Sequence, residues 1–208
     1  MIMSVGGSST SAILTGKAPG WLASNTTMPT YLLIYSIMFY FPNSYQVFTF
    51  IPSFILDPIL LTVDGLIRAN GICSLGVDNI RFGKQDNPLL NTSWVAILLC
   101  GSLCGCGGGL WESTFKFASP EWTFSTPSAL LNPTYDMKIS FITTLFYALT
   151  TSDVQIATVS FTPLLDINQG KALAILGFVG LNLYKLKDPT RIRFLQDTKD
   201  VETKEKVQ

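Results

Sequence analysis

The chain has 208 residues, 48% of them hydrophobic and only 13% charged, with basic and acidic side chains in balance and a mean hydropathy of +0.36. A soluble domain carries roughly 25% charged residues and a nucleic-acid binder a basic surplus, so the composition argues against both. Histidine is absent, which removes Cys/His zinc sites and Ser-His-Asp triads.

Residues 2–14 are apolar, short and rich in Gly and Ser, with Gly6-Gly7-Ser8 at their centre. They predict part of a helix. Without a basic start or a long leucine-rich centre, they do not read as a signal peptide. A polar loop from Lys17 to Thr27 follows. No charge occurs from Ala18 to Leu56, and a span led by Pro29-Thr30-Tyr31 runs to Phe41, where the turn pair Pro42-Asn43 ends it. The next segment, Val47 to about Ile80, is long and broken by Pro52, Pro58, Gly65, Gly71 and Gly76.

That segment also carries Asp57, Asp64 and Arg68. Asp64 and Arg68 are four apart, so on a helix they share a face and can pair. A charge at membrane depth costs about 2.5–3.5 kcal/mol on insertion scales. Either these groups face protein or a water-filled cavity, or the helix extends past the bilayer and they sit at its edge.

A second charge-free run, Asn87 to Trp111, lies within a span from Ser93 to about Phe117. Its five glycines between Gly101 and Gly109 are poor helix formers, at ~1 kcal/mol each relative to Ala. Gly101 and Gly105 have the spacing that lets helices pack closely. The alternative is that Gly107-Gly108-Gly109 unwinds the helix, which inside a membrane is tolerated only where backbone is buried or lines water. The matching Gly6-Gly7-Ser8 favours unwinding. Cys73, Cys100, Cys104 and Cys106 fall in or beside these runs and read as small packing residues.

Ser119 to Asn132 is a loop, with Trp111 and Trp122 suited to a membrane interface. Pro133 to Ser152 forms the fifth span. Lys138 stands near its start, and Thr143, Thr144, Thr150 and Thr151 make it too polar to face lipid. Val154 to Leu165 reads as a loop or half-span, and Ile167 to Tyr184 as the last span. Residues 1–184 are therefore the transmembrane domain and 185–208 a polar, disordered tail. Its basic cluster (Lys185, Lys187, Arg191, Arg193) sets it on the cytoplasmic side. Asn25-Thr26-Thr27 and Asn91-Thr92-Ser93 match the glycosylation pattern, a short motif that often arises by chance.

The elements nearly repeat. A glycine-marked span, a loop and a Pro-Thr-Tyr-led span occur twice, with Ser36 and Ser140 at the same distance after each Pro-Thr-Tyr. Internal repeats of this kind place an ion or substrate path at the broken helices. The expected fold is an all-α polytopic helix bundle.

The run GCGGGLWESTFKF, a Trp-containing loop and a span opening at Lys138 resemble the second repeat of the trimeric intracellular cation (TRIC) channels. YLLIYSIMFYFP and the later LIRANG are similar to that family's third and fourth helices. The resemblance extends from about Ser4 to Tyr184. It implies two inverted three-helix repeats plus a terminal helix, with the family's first helix lacking here so that the first repeat is incomplete. It further implies a homotrimer in endoplasmic reticulum or nuclear membrane, with membrane lipid and a second copy of itself as partners and no nucleic acid. Each subunit would hold a potassium-permeable pore supplying counter-ion flow during calcium release, with permeant K+ and no bound cofactor. The kink glycines, here Gly6, Gly7, Ser8 and Gly107, Gly108, Gly109, would border the pore. Animal members hold an inositol-lipid head group through a Lys-Glu-Val-x-Arg pattern. Here Asp64 stands for the Lys and only Arg68 remains, which argues against phosphoinositide binding.

In the resulting mechanism, carbonyls at the two breaks and the hydroxyls of Ser8, Ser9, Thr10 and Ser102 line an aqueous path and replace part of a cation's hydration shell. Lys138 acts as an electrostatic gate or snorkels to the interface. The rival readings are a non-conducting membrane partner and a repeat-built secondary transporter resembling the SWEET sugar carriers, whose sugar sites favour central Trp and Asn, whereas Trp21, Trp94, Trp111 and Trp122 here lie near span ends. An enzyme is disfavoured, because no nucleophile-base pair is visible.

Overall fold

The computed structural model describes residues 2–40, 52–83, 88–116, 124, 126, 132–151, 154–156, 159–161 and 163–185. The Pro42-Asn43 turn, residues 47–51, nearly all of the Ser119–Asn132 loop with Trp122, and the tail beyond Lys185 lie outside them. The described chain is helical apart from one short hairpin.

Helix α1 spans Ile2–Leu14, and a single turn, α2, covers Gly20–Ala23 within the expected loop. Helix α3, Thr27–Tyr40, has no buried residue. Leu32, Leu33, Phe39 and Tyr40 stand in the open, so this helix shows a broad apolar face. Helix α4, Ser53–Asn70, starts after Pro52 and absorbs Pro58 without ending. It passes directly into a π-helical segment, Gly71–Asp78, and closes with the turn Asn79–Arg81. The interruption expected in this long segment is thus a change of winding.

Helix α5, Trp94–Phe115, starts where the Ser93 hydroxyl accepts from the Ala96 N–H, the N-cap that satisfies an otherwise orphaned donor. It ends at Lys116, whose φ of 49° turns the chain out of the helix. Helix α6 spans Tyr135–Thr151. The stretch read as a loop or half-span contains β1 (Val154–Ile156) and β2 (Val159–Phe161), antiparallel with Val154 opposite Phe161. Helix α7, Ile167–Tyr184, is N-capped by Asp166.

Helix α5 forms the central column, with α1, the π segment and α6 against it, while α7 covers α4 and α6. Helices α1, α4 and α6 run one way, and α5 and α7 the other. Thus Gly6 lies against Gly108 and Trp111, whereas Lys17, just past the other end of α1, reaches Asn79. Ala69, Ile72, Ile139 and Phe178 form one buried cluster, and Cys73, Val77, Ile80, Ile97, Cys100, Tyr147, Ala148 and Ala174 form a second. Two helical stretches, Phe54–Arg81 and Trp94–Phe115, are long and apolar enough to cross a membrane.

The expected unwinding at Gly6-Gly7 and at Gly107–Gly109 is corrected by this arrangement, since α1 and α5 run unbroken through both sites. The missing side chains serve packing. A Cβ on Gly7 would collide with the Leu103 carbonyl, and one on Gly107 with the Gly7 backbone. Gly101 and Gly105 are pressed in the same way by Thr144 and Ser140 of α6. Close backbone approach of this kind is how membrane helices gain contact area, and it outweighs the weak helix propensity of glycine.

Candidate functional site

A cavity of about 680 Å³ opens at the end of the bundle where α1, α3 and α6 begin, α5 and α7 finish and the last third of α4 passes. Arg68 organises its charged wall. Its Nε contacts Asp64 at 2.8 Å across one turn of α4, and its Nη1 reaches Asp136 of α6 at 3.3 Å. The other Asp136 oxygen receives Lys185 Nζ at 3.0 Å. Lys185 also lies 5.4 Å from the ring centre of Tyr135, whose hydroxyl donates to the Leu181 carbonyl at 2.9 Å. One carboxylate thus ties α4, α6 and the end of α7 together. Asp136 stands in the first turn of α6, where the helix dipole also favours a negative charge.

Glu112 completes the charged lining, so three carboxylates (Asp64, Glu112, Asp136) face two cations (Arg68, Lys185). The wall between them is partly bare backbone, from Gly7, Gly105, Gly108 and Gly109. A Cβ on Gly109 would meet nothing within 4 Å.

A second polar group lies at the other end of the bundle, ~20 Å further along α4 and its extension at 1.5 Å per residue. Lys171 Nζ pairs with Asp78 at 2.7 Å, and Tyr147 donates its hydroxyl to the same carboxylate at 2.9 Å. Arg81 grips the end of α6 through the Thr151 hydroxyl (3.0 Å) and carbonyl (2.9 Å). Between the two polar groups lies a mainly apolar layer of Ile72, Val77, Ile139, Ala148 and Phe178, with the buried hydroxyls of Ser140 and Thr144 among them.

Of the residues singled out from sequence, Gly7, Gly108, Gly109, Asp64 and Arg68 meet at the cavity. Asp64 and Arg68 form the pair their spacing predicts. Gly6 and Gly107 do not border it; they are wedged between α1 and α5. The hydroxyls expected to line a path are turned inward. Ser8 and Ser9 donate to the Val5 carbonyl, Thr10 to Gly6 and Ser102 to Leu98. Such back-bonding leaves little of a hydroxyl for an ion. Ser9 and Thr10 also accept from the indoles of Trp21 and Trp111, each at 2.8 Å. Trp111 therefore pins α1 to α5. Lys138 is exposed and outside the cavity lining.

The sequence reading missed Asp136 and Lys185, the latter assigned to the tail, and it missed Asp78 and Lys171. The signal for the last two was available, because both are charges within apolar stretches, where a partner is the rule. Among the described residues no three Asp, Glu or Cys side chains converge as a metal site requires. No family model, curated protein or solved structure matches the chain.

Proposed function

We propose that this chain is a polytopic membrane protein and the subunit of a monovalent cation channel, permeable to potassium. The observation that carries the reading is the cavity itself: a vestibule of about 680 Å³ with one carboxylate in excess, walled partly by glycines, in a bundle whose outer faces are apolar. Excess negative charge in a low-dielectric cleft raises the local cation concentration, and the carboxylates of Asp64, Glu112 and Asp136 can take over part of the hydration shell. The apolar layer beneath it is the closed gate.

The packing of α1 on α5 supports the inverted-repeat architecture. Two equivalent helices related by an axis in the membrane plane must cross antiparallel at equivalent positions, and here Gly7 meets Gly107. In this reading α4 with its π extension, α5 and α6 form the complete repeat, α1 and α3 belong to the other, and α7 is the terminal helix. Lys185 begins the basic tail, so the cavity faces the cytoplasm. The apolar surface of α3 is left for lipid or for a neighbouring subunit of a homotrimer. The endoplasmic reticulum or nuclear membrane, and counter-ion flow during calcium release, come with the TRIC resemblance.

A cavity open at one end only also suits a carrier that alternates its access. Purified protein in planar bilayers separates the two. Unitary potassium currents are expected, reduced at least several-fold by Gly109→Leu, which fills the vestibule from a position with free space. Saturable solute uptake without unitary currents would establish the carrier instead.

A further inference from the structure

We propose that the π-helical segment Gly71–Asp78 is a two-state register switch, held in its present winding by the grip of Lys171 and Tyr147 on Asp78. It deepens the pore reading above, from which it takes its role as a gate; its geometry stands apart from that reading.

The argument begins with angular position. Ala69 packs with Ile139 of α6 and Phe178 of α7. Asp78 comes nine residues later, and regular winding at about 3.6 residues per turn would carry it some two and a half turns on, to the opposite side of the helix. There it would face away from both α6 and α7. The slower rotation of the π segment returns it to that side, where Tyr147 and Lys171 hold it at 2.9 and 2.7 Å. The winding and the ion pair therefore require one another.

The segment is loose at its start and anchored by one close backbone contact further on. Gly71, at its start, has open space where a side chain would be, and Gly76 rests on the bare backbone of Gly101, 2.6 Å from an added Cβ to the Gly101 Cα. Two glycines in eight residues lower the cost of rewinding. Reverting to α winding restores the regular hydrogen-bond ladder but strips Asp78 of both partners, and an unpaired buried charge is costly. Two windings with opposed strengths are what a bistable element needs. Helical π insertions are frequent at functional sites.

Rewinding by one residue turns everything downstream by about 100°. Val77, fully buried in the apolar layer, turns away from its present neighbours, and Arg81 leaves Thr151. The layer that closes the vestibule is thereby opened from a point outside the vestibule.

The test measures distances between spin labels in the full chain, with its four native cysteines replaced by alanine, in lipid vesicles. Labels at Phe82→Cys and Val95→Cys occupy exposed sites just beyond the segment and at the start of α5. One distance is expected with the grip intact. Asp78→Asn should make a second distance the majority population, and the exchange Asp78→Lys with Lys171→Asp should restore the first. Lys171→Met gives the same reading if Asp78→Asn fails to fold. A control pair at Val95→Cys and Leu149→Cys, across α5 and α6, should stay single throughout. An unchanged Phe82–Val95 distance in both single variants overturns the switch, as does broadening of the control pair in step, which would mean general loosening. A grip-dependent second distance in a protein that passes no current removes the pore reading and leaves the switch. Currents with an invariant distance do the reverse.

Discussion

A methyl group at position 107 has nowhere to go, because the space belongs to the backbone of Gly7. At position 109 the same methyl group meets nothing within 4 Å. Overpacking a close contact typically costs 1–3 kcal/mol. Gly107→Ala should therefore destabilise the protein by about 2 kcal/mol in reversible unfolding, while Gly109→Ala stays within about 0.5 kcal/mol. Equal effects at the two sites would show that the helices do not meet as described. The glycine clusters were legible in the sequence, but their role was not. Local propensity argued for unwinding, and propensity is a weak prior that tertiary contact overrides. The hydroxyls misled for a related reason: Ser8, Ser9 and Thr10 find acceptors within their own helix, a choice that composition alone does not display.

Among the elements, α6 depends most on charge for its placement. Asp136 at its start is shared by Arg68 and Lys185, and Thr151 at its end is held by Arg81. The Asp136 partners are about a third exposed, and exposed pairs contribute about 0–1 kcal/mol each. Asp136→Asn should thus lower stability by only ~1 kcal/mol, yet free the end of α7. Faster amide exchange confined to the last turn of α7 is the expected signature, and uniform acceleration across the bundle would contradict it. Helix limits were the most readable feature, because apolar runs bounded by Ser93, Asp166 and the prolines mark them directly. The π winding was not readable. Its cause is the pairing of Asp78 with two residues about 70 and 90 positions away along the chain, which no local window contains.

At the scale of the whole molecule, the apolar side chains divide into two sets. Ala148, Phe178 and Tyr147 are sealed inside, while Leu176, Val95 and Phe54 point outward. In a membrane the outer set faces hydrocarbon, which is as apolar as leucine. A nitroxide at Leu176→Cys in lipid vesicles should collide freely with oxygen and rarely with a water-soluble nickel chelate. Ready collision with the chelate would place α7 in water and remove the membrane assignment. The helical bundle was legible from charge-free runs and turn residues, whereas the cavity was not, because it is assembled from six helices far apart in the chain. One consequence of the glycine crossing extends beyond this molecule. A joint made of main-chain atoms asks almost nothing of the letters around it, only that two positions stay empty. Its kin can drift nearly everywhere else and keep the same geometry, so they are better sought by the spacing of those gaps than by shared residues.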